Sequence, residues 1–346
     1  MVALLRSVVK QSASYTVKMS VPSAVLAKLR RIPGLTLIQE VPLSEYTRFG
    51  LGGRAEVLAE SGSPKSFLAA IQAVRASLCP SVVIGAGTNL IVSDSGFRGV
   101  VLRFTGSGVT LSGETLRAEA GAVLQHVVDL SIARGLSGID CMTGIPGWVG
   151  GAVYGNAGAY GQSIDERVRY VEFTDGKIIR RFSKAHCEFG YRESIFKRHK
   201  NWIILAVELE LSAGDAEQLA RAAAGIRATR DAKYPPAMKC AGSIFKNCLF
   251  ASLPAQVQAQ VPEGLVRGGK VPSAWFLEQA GAKGLRRGDI QVASYHANLI
   301  YKDGAGTAAD LVALIRRLKA LVADRFRFEL EEEVQYVGFE AAGSGL

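Results

Sequence analysis

Two glycine-dense runs carry the first chemical signal in this 346-residue chain. Gly85-Ala86-Gly87-Thr88-Asn89 leads into Leu90, and residues 144–161 hold seven glycines. Successive backbone N–H groups in such turns form concave anion sites, and positions without side chains let a planar ring lie against the chain. Both runs therefore suit a cofactor that carries phosphates and a flat ring. The dinucleotide fingerprint would need a third glycine and an immediate helix, and Leu90 stands where that glycine belongs. The other reading is of tightly packed turns, with Gly85 and Gly87 closing a hairpin.

Metal chemistry is not expected. His126, His186, His199 and His296 show no ligand spacing, and the five cysteines at 79, 141, 187, 240 and 248 contain no CxxC pair. An odd cysteine count with no apolar signal peptide fits a reducing cytoplasm. The formal charge is +10, of which Arg6, Lys10, Lys18, Lys28, Arg30 and Arg31 supply six in an acid-free N-terminal stretch. That stretch resembles a transit peptide, and a start placed ahead of a true beginning at Met19 explains it equally well. The remaining excess is mild, suited to a diphosphate rather than to nucleic acid. Residues 141–164 carry no charge, but seven glycines and Pro146 argue for a buried, turn-rich loop system rather than a membrane span.

The elements that must position these loops follow from pattern. Ser63 and Pro64 open a helix with Phe67, Leu68, Ile71 and Val74 on one face. Short strands are expected at 81–84, 90–92 and 100–104, a helix at 123–133, and strands at 168–173 and 203–211. The turn Ser212-Ala213-Gly214 is the expected change of domain, before a helix over 217–230 that Pro235-Pro236 ends. A last long helix starts at Thr307, with Leu311, Leu314, Ile315, Leu318 and Val322 as its buried stripe. Strand alternation would put Glu331 and Glu333 on one face, opposite Leu330, Glu332 and Val334; a solvated acidic edge is the other reading. The expected division is a basic, partly unstructured extension at 1–40, a domain at 41–213, a second at 214–340 and a tail at 341–346.

Six segments, in order, make the chain resemble the bacterial UDP-N-acetylenolpyruvoylglucosamine reductases, also called UDP-N-acetylmuramate dehydrogenases. They are Thr47-Arg48-Phe49-Gly50-Leu51-Gly52-Gly53, residues 84–94, residues 144–161, Phe189-Gly190-Tyr191-Arg192-Glu193-Ser194-Ile195-Phe196, residues 241–247 and residues 330–334. The resemblance implies an α+β fold, with a two-part FAD-binding domain of the vanillyl-alcohol-oxidase type followed by a C-terminal α+β substrate-binding domain. It implies FAD, noncovalent because no histidine stands in the Gly85 loop, and NADPH as hydride donor. The implied reaction reduces UDP-N-acetylglucosamine enolpyruvate to UDP-N-acetylmuramate, a cytoplasmic step of peptidoglycan synthesis, in a monomer that binds neither nucleic acid nor membrane.

Carried over by motif, Gly85, Ala86, Gly87, Thr88, Asn89, Leu90, Ile145, Pro146, Gly147, Gly150, Gly151, Asn156, Gly158 and Ala159 would hold the flavin. Arg192 would stabilise the enolate-like charge that follows hydride transfer, since a guanidinium holds a carboxylate bidentately. Ser243 would donate the proton, with Lys246 and Lys233 favouring its alkoxide, and Glu333 would orient Arg192 or help position the proton. Tyr191, Lys233, Asn247 and His296 would contact the substrate. Trp148 replaces a usually small residue, and Cys248 and Glu332 replace prolines. A short connection replaces the inserted lid of some members, so an open, lid-less cleft is expected. Another FAD-dependent oxidase or dehydrogenase of this fold would keep the glycine loops without needing Arg192, Ser243 and Glu333 together.

Overall fold

In the Arg54–Ser61 strand Ala55, Val57, Leu58 and Ala59 are all buried, the pattern of a strand covered on both faces. The computed structural model, which describes residues 21–339, places it between two neighbours. Thr36–Pro42 pairs with it antiparallel, and Phe97–Phe104 parallel. Ser81–Val83 closes this four-stranded sheet, parallel to Phe97–Phe104. A second, five-stranded antiparallel sheet runs Ile179–Ser183, Val168–Thr174, Ile203–Glu210, Thr115–Glu119, Val109–Ser112. Both sheets share one core, in which Phe67, Ile71 and Val74 of the Pro64–Arg75 helix and Val127 and Val128 of the Leu124–Ala133 helix are buried. Ser63 caps the first of these helices as expected, its hydroxyl accepting from Ser66 N at 3.3 Å.

The last third builds a second core on a four-stranded antiparallel sheet of Lys239–Ser243, His296–Lys302, Ile290–Ala293 and Arg286–Arg287. Against it packs the Ala308–Phe326 helix, which buries Leu311, Leu314, Ile315, Leu318 and Val322 as its spacing requires. A third, smaller core joins the halves, with Val41, Leu43, Ile84, Val92 and Val337 among its members. The α+β class therefore stands, and the first half is built in two parts, each on its own sheet.

Several expectations are corrected. Residues 21–40 belong to the fold. The Ser23–Arg30 helix buries Val25 and Leu29 beside the Pro64–Arg75 helix, and Val21 N donates to Glu56 Oε2 at 2.8 Å. Basic residues around that single i,i+4 apolar pair disguised it. Residues 1–18 and the tail at 341–346 lie outside the described residues. Gly85 and Gly87 close no hairpin, because Leu90–Val92 leaves the first sheet to pair in parallel with Gln335–Val337. The uncharged 141–164 stretch is not all loop, since Val149–Tyr154 is helical within it. The change of core also comes later than the Ser212-Ala213-Gly214 turn. The Ala216–Lys233 helix, capped by Asp215, lies on the Leu124–Ala133 helix and adds Ala223 to the first core. The change of core falls between Ala223, in the first, and Tyr234, which packs against the second.

One contact ties the halves through a helix start. Thr307 Oγ1 accepts from Asp310 N at 3.1 Å, while the Asp94 carboxylate accepts from Ala308 N and Ala309 N, both at 2.8 Å. Three of the four otherwise unpartnered donors of this helix are thereby satisfied. Asp94→Ala should cost about 1 kcal/mol, read as a lower urea midpoint with an unchanged slope.

Candidate active site

The two glycine runs meet. Thr88 Oγ1 donates to the Pro146 carbonyl at 3.3 Å, and Arg48 N donates to the Gly87 carbonyl at 3.2 Å. Gly87 has φ 68°, and a Cβ there would stand 1.8 Å from the Tyr46 carbonyl oxygen, so only glycine fits that approach. Gly150 and Gly151 differ in purpose. A Cβ at Gly150 would strike Ala120 Cβ at 2.8 Å, whereas one at Gly151 would meet nothing within 4 Å. At Gly85 it would meet only Trp148, at 3.9 Å. The loops thus pack through Gly87 and Gly150 and stay bare through Gly85 and Gly151, which is the space a flat ring and a pyrophosphate need.

Arg103, which the motif reading missed, braces this cradle. Its Nε donates to the Gly85 carbonyl at 3.3 Å and its Nη1 meets Glu60 at 2.9 Å. Its guanidinium lies between the rings of Tyr46, at 4.8 Å, and Trp148, at 4.6 Å. The unexpected tryptophan therefore stacks on the residue that fixes the first loop.

Arg192 sits at the second corner of the tight turn Gly190-Tyr191-Arg192-Glu193, where Gly190 N and Glu193 N each donate to the other's carbonyl. Its φ of 57° is left-handed, a conformation that costs an arginine about 1–2 kcal/mol. The surroundings hold it there. Nη2 donates to the Gly158 carbonyl at 3.0 Å and Nη1 to the Asn156 carbonyl at 3.4 Å. Nε lies 2.9 Å from Glu333 Oε1, off the N–H axis, so this is an ion-pair contact rather than a hydrogen bond. Asn156 itself is buried, with its amide donating to Gly190 O at 2.9 Å and accepting from Asp165 N at 3.3 Å. Its side chain thus supports the arginine turn, and the residue also lines the cleft beside Arg192. Gly158, Ala159, Tyr191, Arg192 and Asn247 line one cleft of about 430 Å³, together with Lys270, whose ammonium lies 4.9 Å from the Tyr191 ring centre. Nothing in the exposed Gly268-Gly269-Lys270 turn signals that placement from sequence.

Residues 331–335 carry Glu333 to Arg192 as an extended strap. Lys246 N donates to Glu331 O at 2.9 Å and Glu333 N to Ile244 O at 2.8 Å, which lays the strap beside Ser243. Asn89 Nδ2 donates to Glu333 O and Gln335 N to Asn89 O, both at 2.9 Å, which fixes it to the first glycine loop. The expected alternation holds: Glu331 and Glu333 reach Lys246 and Arg192, while Glu332 turns to Lys319, at 3.2 Å, and the Tyr336 hydroxyl.

Lys246 is not the cation beside Ser243. Its ammonium is bound between Glu193, at 2.7 Å, and Glu331. Burial opposes the Lys246 charge, but the two carboxylates outweigh it and hold the amine above its usual range. Burial likewise pushes Glu193 up, and hydrogen bonds from Lys197 and Lys246 overcome it, so the carboxyl stays below its usual range. Ser243 Oγ instead lies 3.2 Å from the Tyr234 hydroxyl. The Tyr234 ring stands edge-on to His296, 6.4 Å between centres, and 5.1 Å from the Lys233 ammonium. Burial, then Lys233 and Lys283, push His296 down to about 4, and among the described residues its buried Nε2 has no hydrogen-bond partner. Burial pushes the thiols of Cys141 and Cys187 up to about 11 and about 12, and all five cysteines are free.

Comparison with known proteins shows what the chain is similar to. Residues 234–337 match the model of the UDP-N-acetylenolpyruvoylglucosamine reductase C-terminal domain, and residues 55–180 match an FAD binding domain. The UDP-N-acetylenolpyruvoylglucosamine reductase of Solibacter usitatus is 57% identical over 90% of this chain and 100% of its own length. That of Rubrobacter xylanophilus is 37% identical over 86% of this chain and 94% of its own. The crystal structure of the Thermus caldophilus enzyme of this name superposes with a TM-score of 0.68 at 29% identity, covering 88% of this chain and 98% of that one.

Two measurements probe the site. Gly151→Leu should leave the fold intact, because its side chain meets open space, but yield protein without flavin colour; a fully yellow variant would place the ring elsewhere. His296 is held neutral, so protonation favours the unfolded chain and its contribution is lost as pH falls from 6.5 toward about 4. His296→Gln should therefore lose less stability between pH 7 and roughly pH 5 than the parent protein does, read from urea midpoints.

Proposed function

The chain belongs to the family of UDP-N-acetylenolpyruvoylglucosamine reductases, and from that premise we infer that the cleft at the Arg192–Glu333 contact is where its substrate is reduced. It is an FAD-dependent oxidoreductase that uses NADPH, acting in the synthesis of peptidoglycan precursors. The substrate is UDP-N-acetylglucosamine enolpyruvate and the product UDP-N-acetylmuramate. We place the enzyme in the cytoplasm as a monomer; among the described residues no helix is long and apolar enough to cross a membrane.

The glycine cradle around Gly85 and Gly151 would hold FAD, which would supply the hydride, drawn from NADPH, that the enolpyruvyl double bond needs. Beyond the N–H groups given to Gly158 and Asn156, Nη1 and Nη2 of Arg192 each keep one more, enough to hold the enolpyruvyl carboxylate where negative charge builds. Glu333 and the Gly190–Glu193 turn fix that guanidinium before substrate arrives, so no reorganisation is needed during reaction. Ser243 donates its hydroxyl proton to the carbon beside the carboxylate. Asn247, whose backbone N donates to Tyr191 Oη at 3.1 Å, and Lys270 line the sugar–diphosphate path. Lys233 and His296 extend it, close to the Tyr234 ring.

The observation that supports this reading most directly is the Arg192–Glu333 contact, which joins residues of both halves beside Ser243. An anaerobic visible spectrum tests it. The flavin bands should bleach with NADPH and return when the enolpyruvyl nucleotide sugar is added. Ser243→Ala should leave the bleaching intact and slow the return by about 10²–10⁴-fold, the usual worth of a positioned acid. An unchanged return would remove Ser243 from the mechanism, and no return in the parent protein would mean another substrate.

A further inference from the structure

Tyr234 stands where the chain is forced off a helix. Its N donates to Arg230 O at 2.7 Å as the last bond of the Ala216–Lys233 helix, and Pro235 then prevents another turn. The ring is thereby directed at the substrate sheet. There Ser243 pairs with Leu299 after a bulge that follows Cys240, and Gly242, at φ 73°, turns the chain immediately before the serine. The two hydroxyls meet at 3.2 Å. Among the described residues no other side chain hydrogen-bonds to the Ser243 hydroxyl, and the nearby carboxylates are committed elsewhere: Glu193 and Glu331 to Lys246, Glu333 to Arg192. The phenol is flanked by cations, with the Lys233 ammonium 5.1 Å and the Arg230 guanidinium 5.8 Å from the ring centre.

We propose that Tyr234 is a positioning residue behind Ser243, donating a hydrogen bond to the serine oxygen and returning a proton to it once the serine has protonated the substrate. This rests on the proton-donor role proposed for Ser243. An aliphatic hydroxyl is a poor acid, so giving its proton to carbon leaves an alkoxide that needs immediate stabilisation. A phenol is a stronger acid than an aliphatic alcohol because its ring delocalises the anion, so the second transfer runs downhill. The balance is simple. The serine O–H breaks as the substrate C–H forms, the tyrosine O–H breaks as the serine O–H re-forms, and a proton taken from solvent restores the phenol, which is the one proton the net reduction consumes. The phenolate formed in between faces Lys233 and Arg230, whose charges favour it.

The test is Tyr234→Phe in the full-length, FAD-loaded protein, with the two half-reactions followed separately by stopped flow. Reduction by NADPH should stay within about twofold of the parent. Reoxidation by the enolpyruvyl substrate should slow by about 10- to 100-fold, the worth of one hydrogen bond to a charged oxygen. In a Ser243→Ala background the same change should alter reoxidation by less than about twofold, because the tyrosine acts only through the serine. Unchanged reoxidation in the single variant, equal slowing of both half-reactions, or independent effects in the double variant would each overturn the proposal. Parent protein that the substrate fails to reoxidise would instead count against the substrate assignment.

Discussion

Four hydrogen bonds hold residues 331–335 between the two halves of the molecule, and the site exists because of them. Lys246 N to Glu331 O and Glu333 N to Ile244 O bind the strap to the segment after Ser243. Asn89 Nδ2 to Glu333 O and Gln335 N to Asn89 O bind it to the glycine loop. A carboxylate on such a strap has little freedom left, and Glu333 reaches an arginine that belongs to the other half. Bonds that fix geometry this closely matter for catalysis because small displacements of reacting groups are expensive in rate.

The charges around the cleft divide into two sets. Lys246, Glu193, Glu331 and Lys197 neutralise one another and serve the architecture. Lys270, Lys233 and Arg230 lie against aromatic rings instead, so their charge remains available to an anion. A site for a nucleoside diphosphate needs both kinds. The first keeps the catalytic segments in register, and the second repays the desolvation of phosphates.

Legibility in the sequence followed the range of the interaction. The Pro64–Arg75 and Ala308–Phe326 helices are visible because Ser63 and Thr307 cap them from the adjoining residue and their apolar stripes are local. A hairpin stays open as one reading of Gly85 and Gly87 because the true partner of Leu90–Val92 lies at Gln335–Val337, which no local pattern reveals. The Ile179–Ser183 strand escaped notice because Arg180 and Arg181 point to solvent from a sheet edge. In the site, Arg192, Ser243 and Glu333 were legible only as parts of motifs. Arg103 and Tyr234 carry no motif, and their importance arises from what tertiary structure brings to them: the Gly85 carbonyl for one and the Ser243 hydroxyl for the other. Lys246 shows the opposite error, since sequence nearness to Ser243 suggested a partnership that two carboxylates prevent.

The pairing of Leu90–Val92 with Gln335–Val337 also sets an order of assembly. Asn89 and Glu333 are separated by 244 positions, and closing so long a loop demands entropy that nearer contacts do not. During synthesis the first core can form around the Pro64–Arg75 and Leu124–Ala133 helices while the strap is still inside the ribosome. The flavin cradle is then nearly built, but the arginine lacks its carboxylate and the two halves lack their latch. Competence for reduction therefore arrives as one late event, when the strap reaches Asn89.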